Sequence, residues 1–283
     1  MRVFSLDGRV SMAVKEWDGD GPAWLFIHGL ARAGNDWTLF AQAMGPSWRR
    51  MALDLRGHGS STRGQRYLVP DYVADIETVL PLLSARPVIL MGHSLGALAA
   101  IAVAARQPDR VAAVILEDPP TPGFLSRLGE TGYGAMFEAY ARLADAGLAV
   151  PEIARELAVL PVRDPLGKVR PLGEMRDAAS LRHMAACLAR LDPAAPLAAL
   201  AGPAWLGGLD LAELLAAIRC PLLLLRGDER FGGMMPLEET GELFRGARDL
   251  TRLDMTGVGH QIHAMAQEPA ARAVGAFVNS LGL

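Results

Sequence analysis

Ser94 lies at the centre of Gly92-His93-Ser94-Leu95-Gly96, between the apolar run PVILM and the alanine-rich stretch SLGALAAIAVAARQ. A serine hydroxyl is a weak nucleophile at neutral pH. It needs a base to take its proton and a third group to orient that base. Glycines two positions to either side suit a sharp strand-to-helix turn, where side chains would collide with the strand or the helix. The string G-x-S-x-G is common by chance, and its position between a strand-like and a helix-like run is what gives it weight. The chain order nucleophile, acid, base then calls for a histidine near the C-terminus. Of six histidines, His260 in GVGH follows the strand-like run DLTRLDM, among small residues that leave its ring room to reach. His260 is therefore the expected base. His263, three residues on, is the only competitor in that loop and is expected to be structural or exposed. The other half of an anion site is readable at Phe26-Ile27-His28-Gly29-Leu30, where the amide of Leu30 can pair with that of Leu95 to hold a developing oxyanion. His28 is expected to brace that loop, and His93 to be held by the turn.

These residues need elements to position them. AWLFI (23–27), RRMAL (49–53), PVILM (87–91) and VAAVIL (111–116) have the length and apolar content of strands buried on both faces. Helix-period segments at 36–44, 70–84 and 94–107 alternate with them, which implies a parallel sheet with right-handed crossovers. After LEDPPTPG no convincing strand is found from 124 to 217, only Ala/Leu/Arg/Glu segments broken by prolines, as in a helical insertion. The rhythm resumes with a strand at 220–228, a helix at 236–246, a strand at 249–255 and a closing helix at 268–281. One α/β core (1–123 and 218–283) carrying one helical cap (124–217) is the expected organisation.

The 283 residues are 51% hydrophobic, enough for a sizeable core, and carry a net charge of -3. That balance disfavours nucleic acid and anionic membrane as partners. Cys187 and Cys220 have neither metal-ligand nor disulfide-framework spacing and read as buried reduced thiols. The N-terminal stretch has no apolar targeting core, and no run is long enough to span a membrane. A soluble cytoplasmic protein is expected. HExxH, CxxC and P-loop patterns are missing from the sequence, so neither a metal nor a cofactor is expected.

Taken together, HGL at 28–30, DLRGHGSS at 54–61, GHSLG at 92–96, LEDPP at 116–120 and GVGH at 257–260 resemble the α/β-hydrolase superfamily in order and approximate spacing. The resemblance covers the chain outside 124–217, where that family carries a variable cap. It implies a mostly parallel eight-stranded sheet with helices on both faces, and a Ser-His-Asp triad. Arg56 and His58, in the loop that the resemblance makes structural, stay outside the catalytic set. The acid has two candidates. The family's usual position follows the strand PLLLLRGD, which points to Asp228, although an arginine stands three residues beyond Gly227 and the loop is about two residues longer. Some members place the acid after the sixth strand, which points to Asp118, rigidly set before Pro119 and Pro120. Glu117 and Glu229 rank behind both. The expected activity is hydrolysis of a small or medium apolar ester or lactone through an acyl-enzyme. Met136, Phe137, Met175, Met184, Leu188 and Trp205 are candidates to line its pocket, Met136 and Trp205 foremost. Carbon–carbon bond hydrolysis or a lyase reaction, acyl transfer, and a binding module without turnover are the alternatives.

Overall fold

Trp24 and Phe26 face one side of a sheet and Leu25 and Ile27 the other, because successive side chains on a strand alternate, and all four are fully buried. They belong to β3 (Ala23–Ile27) in a computed structural model that describes residues 1–6, 10–163 and 167–282. The sheet also contains β1 (Arg2–Leu6), β2 (Val10–Trp17), β4 (Arg49–Leu53), β5 (Val88–His93) and β6 (Val111–Glu117). A short hairpin, β7 (Pro161–Arg163) with β8 (Val169–Pro171), stands apart from it, and β9 (Leu222–Gly227) and β10 (Leu250–Met255) complete it. Its order is β1-β2-β4-β3-β5-β6-β9-β10. The β1–β2 and β2–β4 pairs are antiparallel and the rest are parallel.

The two faces carry separate cores. Leu25, Ile27, Leu90, Leu116 and Leu224 join one buried cluster, and Trp24, Phe26, Met91, Ile115 and Leu225 the other. The first face is covered by α2 (Val69–Leu83) and α3 (Leu95–Arg106), the second by α1 (Thr38–Ala43) and, later in the chain, the C-terminal helix. Ten of the twelve residues of α3 are buried, so it is apolar nearly all round, as a helix enclosed on every side must be.

Between β6 and β9 run α4 (Pro122–Ser126), α5 (Gly132–Asp145), α6 (Val150–Val159), α7 (Ala178–Leu188), α8 (Ala194–Ala199) and α9 (Leu211–Ala217). This is the expected helical insertion, with one correction: it also holds the β7–β8 hairpin. Three-residue strands with proline at the outer ends leave no alternating pattern to read. Helix α9 packs chiefly on α3, so by contact it sits with the helices of the sheet. The chain closes with α10 (Leu237–Leu243), α11 (Ile262–Met265) and α12 (Gln267–Ser280). No described helix is long and apolar enough to cross a membrane. Both cysteines are free; Cys187 is buried as expected, whereas Cys220 is only partly so.

Candidate active site

Three described residues other than glycine have positive φ: Ala31 at 59°, Ser94 at 54° and Asp118 at 45°. Side chains rarely adopt that region, and residues held in it gather where function over-determines the backbone. All three follow strand ends on one edge of the sheet, after β3, β5 and β6.

The turn at Ser94 depends on its glycines. A Cβ on Gly92 would lie 2.2 Å from the carbonyl oxygen of Gly96, and one on Gly96 would lie 2.1 Å from that of Ile27. Both obstacles are backbone and cannot swing aside. The Ser94 amide donates to the Glu117 carbonyl at 2.9 Å, which ties the turn to β6. Gly29 lies so close that a Cβ there would meet the Ser94 Cβ at 3.2 Å. The HGL loop therefore abuts the serine.

That loop is held by two histidines. The Leu55 amide donates to Nε2 of His28 at 3.0 Å, and the Ala31 amide donates to Nε2 of His58 at 3.2 Å. Each ring then gives its Nδ1 proton to a carbonyl, of Gly29 and Arg56 respectively, both at 2.8 Å. Burial pushes His28 down to about 4 and His58 to about 3, so both are neutral, as acceptors must be. His28 braces the loop as expected.

Nδ1 of His260 lies 2.7 Å from Oδ2 of Asp118. Asp118 is fully buried, and its carboxylate also accepts from the amides of Gly227 at 2.9 Å and Met234 at 2.8 Å. Asp228 points elsewhere. Its carboxylate is clamped by the Arg230 side chain and amide and by the Gly257 amide, which hold it well below the usual carboxylate range. Of the two aspartates, the structure brings Asp118 and not Asp228 to His260. The physical reason lies in the longer loop: Arg230 follows Asp228 closely enough to fold back on it.

His93 packs 4.6 Å from the His260 ring, centre to centre, and donates from Nε2 to the His260 carbonyl at 3.0 Å. His263 is buried and bonds Glu117, its Nδ1 at 2.8 Å from Oε1, under the ring of Trp37. Burial opposes protonation of His263, but the Glu117 charge and hydrogen bond raise its pKa overall. The expectation of a structural role fits that pairing.

Ser94, His260, Leu30 and Met136 share the wall of one cavity of about 640 Å³. Phe137, Met175 and Met184 line it too, but neither Leu188 nor Trp205 does. Trp205 is corrected as a pocket residue: it is buried against the core, and its indole N–H donates to the Tyr67 carbonyl at 2.8 Å. Residues not anticipated include Tyr133, whose ring meets His260 edge-on at 5.7 Å and whose hydroxyl donates to the Gly232 carbonyl at 2.6 Å. Arg32 and Arg176 also line the cavity. Arg32 could have been suspected from Asp36, four residues on, with which it forms an ion pair. Nothing local marks Arg176. Among the described residues Asp36, His183 and Cys187 have ligand atoms close enough to share a metal ion, but the Arg32 guanidinium on Asp36 opposes a cation there.

Known proteins bear on this arrangement. The chain is 35% identical over 112 residues to a 2-(acetamidomethylene)succinate hydrolase of Mesorhizobium japonicum, covering 39% of this chain and 40% of that protein. It is 34% identical over 111 residues to a lipase of Mycobacterium tuberculosis, covering 39% of this chain and 42% of that one. The chain thus spans about two fifths of these curated relatives. Over whole chains it superposes on a carboxylesterase structure from Nitrososphaera gargenis with a TM-score of 0.76, 20% identity and 99% coverage of each chain. An esterase from Thermogutta terrifontis with malate bound gives 0.72 and 21%, covering 99% of this chain and 97% of that one. Likeness at such identity shows the fold. A sequence profile described as the alpha/beta hydrolase fold matches residues 22–227, most of the chain, and by that match the chain belongs to the α/β-hydrolase-fold family.

Proposed function

We propose that this chain is a serine hydrolase that cleaves a small or medium carboxylic ester or lactone through an acyl-enzyme. The observation that carries this reading is the buried Asp118–His260 hydrogen bond on the cavity that also exposes Ser94. Asp118 fixes the proton on Nδ1 of His260, which leaves Nε2 as the base. His260 takes the Ser94 proton as the oxygen attacks the carbonyl carbon, then returns it to the leaving alcohol. Water, deprotonated by the same imidazole, releases the acid and restores Ser94. The amides of Leu30 and Leu95 hold the oxyanion, each contributing about 3 kcal/mol of barrier lowering. Leu95 suits that role because the first amide of a helix has no carbonyl one turn earlier to take it. Met136 and Phe137 supply apolar wall for the acyl or alcohol portion.

A fluorophosphonate probe and a panel of esters graded by acyl length test this. Wild type should label and turn over at least one ester, and Ser94→Ala should lose the label and at least about a thousandfold in kcat. Folded wild-type protein that neither labels nor hydrolyses would overturn the reading.

A further inference from the structure

Some charged groups at and beneath the cavity are tightly paired. Arg230 is paired with Asp228, and Glu117 beneath the site is paired with His263. Arg32 and Arg176, two cations of the cavity wall, are less fully engaged. The Arg32 side chain is only 12% exposed and meets Asp36 with Nε at 3.6 Å, too long for a hydrogen bond. The Asp36 carboxylate is also engaged by His183. Among the described residues, the Arg32 guanidinium forms no hydrogen bond. Arg176 donates once, from Nη1 to its neighbour's carbonyl on Met175 at 3.2 Å, and no described carboxylate lies within ion-pair distance of it. Each guanidinium carries five N–H donors in a planar fork, and burying them unpaired is unfavourable.

Both groups line the cavity. Burial and then the positive charge of Arg32 both lower the Arg176 pKa, and both arginines act on the Tyr140 hydroxyl. Tyr140 lines the cavity as well, and its hydroxyl has no hydrogen-bond partner among the described residues. Two cations that repel each other, beside a hydroxyl that makes no hydrogen bond to a described residue, suit an anion. Bidentate geometry makes a carboxylate the natural occupant of such forks.

We propose that the ester or lactone cleaved at Ser94 carries a free carboxylate, bound by Arg32 and Arg176 with the Tyr140 hydroxyl as an added donor. This deepens the hydrolase reading and rests on it for the identity of the reacting bond. It also changes the expected substrate: Met136 and Phe137 contact the chain between the two ends, and an ionised group sits at the far one.

The test has a catalytic arm and a binding arm. In the first, mono-4-nitrophenyl glutarate is compared with 4-nitrophenyl valerate, two esters of similar length that differ in the terminal carboxylate. Wild type should favour the glutarate ester in kcat/KM by about tenfold or more, mainly through KM. Arg176→Gln and Arg32→Gln should each shrink that preference by about tenfold, with Arg176→Lys intermediate. Circular dichroism checks that each variant is folded. In the second arm, glutarate itself should raise the Tm of wild type and of Ser94→Ala, but not of Arg176→Gln. If wild type labels with fluorophosphonate yet prefers the neutral ester, and glutarate leaves Tm unchanged, the carboxylate proposal fails and the hydrolase reading stands. If glutarate binds Ser94→Ala and wild type never labels, the anion site stands and the hydrolase reading fails.

Discussion

Asp118→Asn would replace one acceptor oxygen by an amide nitrogen at a site where Gly227, Met234 and His260 all donate. The imidazole would then favour the wrong tautomer, and kcat should fall by about ten-thousandfold while the protein stays folded. Asp228→Asn breaks the contact with the exposed Arg230 and should change kcat/KM less than about tenfold. Steady-state kinetics on one ester separates the two. At this scale the sequence made Ser94 and His260 readable because their signals are local: flanking glycines, and a loop of small residues after a strand. It left the acid open because both aspartates end strands on the same sheet edge. What distinguishes them is who else is present, an arginine two residues away for Asp228 and two amides from far along the chain, Gly227 and Met234, for Asp118. Arg176 had no readable signal at all, since what sets it apart is that no described carboxylate pairs with it in space.

The same substitution should have opposite signs in two helices. Gly96→Ala forces a Cβ into the Ile27 carbonyl and should destabilise by more than about 3 kcal/mol. Gly275→Ala in α12 meets nothing within 4 Å and should stabilise by up to about 1 kcal/mol. Urea midpoints of the two variants check both signs. Strands β3, β4, β5, β6 and β9 were legible as continuous apolar runs, because parallel strands covered on both faces have no polar side to show. Strands β1 and β2 were not assigned to particular residues. Arg2, Lys15 and Glu16 interrupt them, and only part of each strand is buried. The antiparallel end of the sheet half faces water, so its pattern is diluted.

For the molecule as a whole, neutral buried histidines set the response to acid. His28 and His58 remain unprotonated in the fold down to about 4 and 3, but an unfolded chain protonates them near 6.5. The unfolded state therefore gains protons first, and each histidine should remove about 3 kcal/mol of stability between pH 6.5 and 4. His263 acts in the other sense, since its raised pKa makes its contribution complete below 6.5 and lost as pH rises through the folded value. The net expectation is a urea midpoint that falls steeply from pH 6.5 to 4, and a shallower fall in a folded His58→Gln variant. A midpoint that stays flat over that window would refute it. Tyr133 carries a different consequence. It comes from the insertion, yet its hydroxyl grips Gly232 of the core and its ring lies against His260. Any outward swing of α5 breaks that grip and strips the imidazole of its neighbour in the same step. Were α5 to move in that way, the imidazole proposed as base would be wetted while the cavity stood open and shielded again only when the aromatic ring returned.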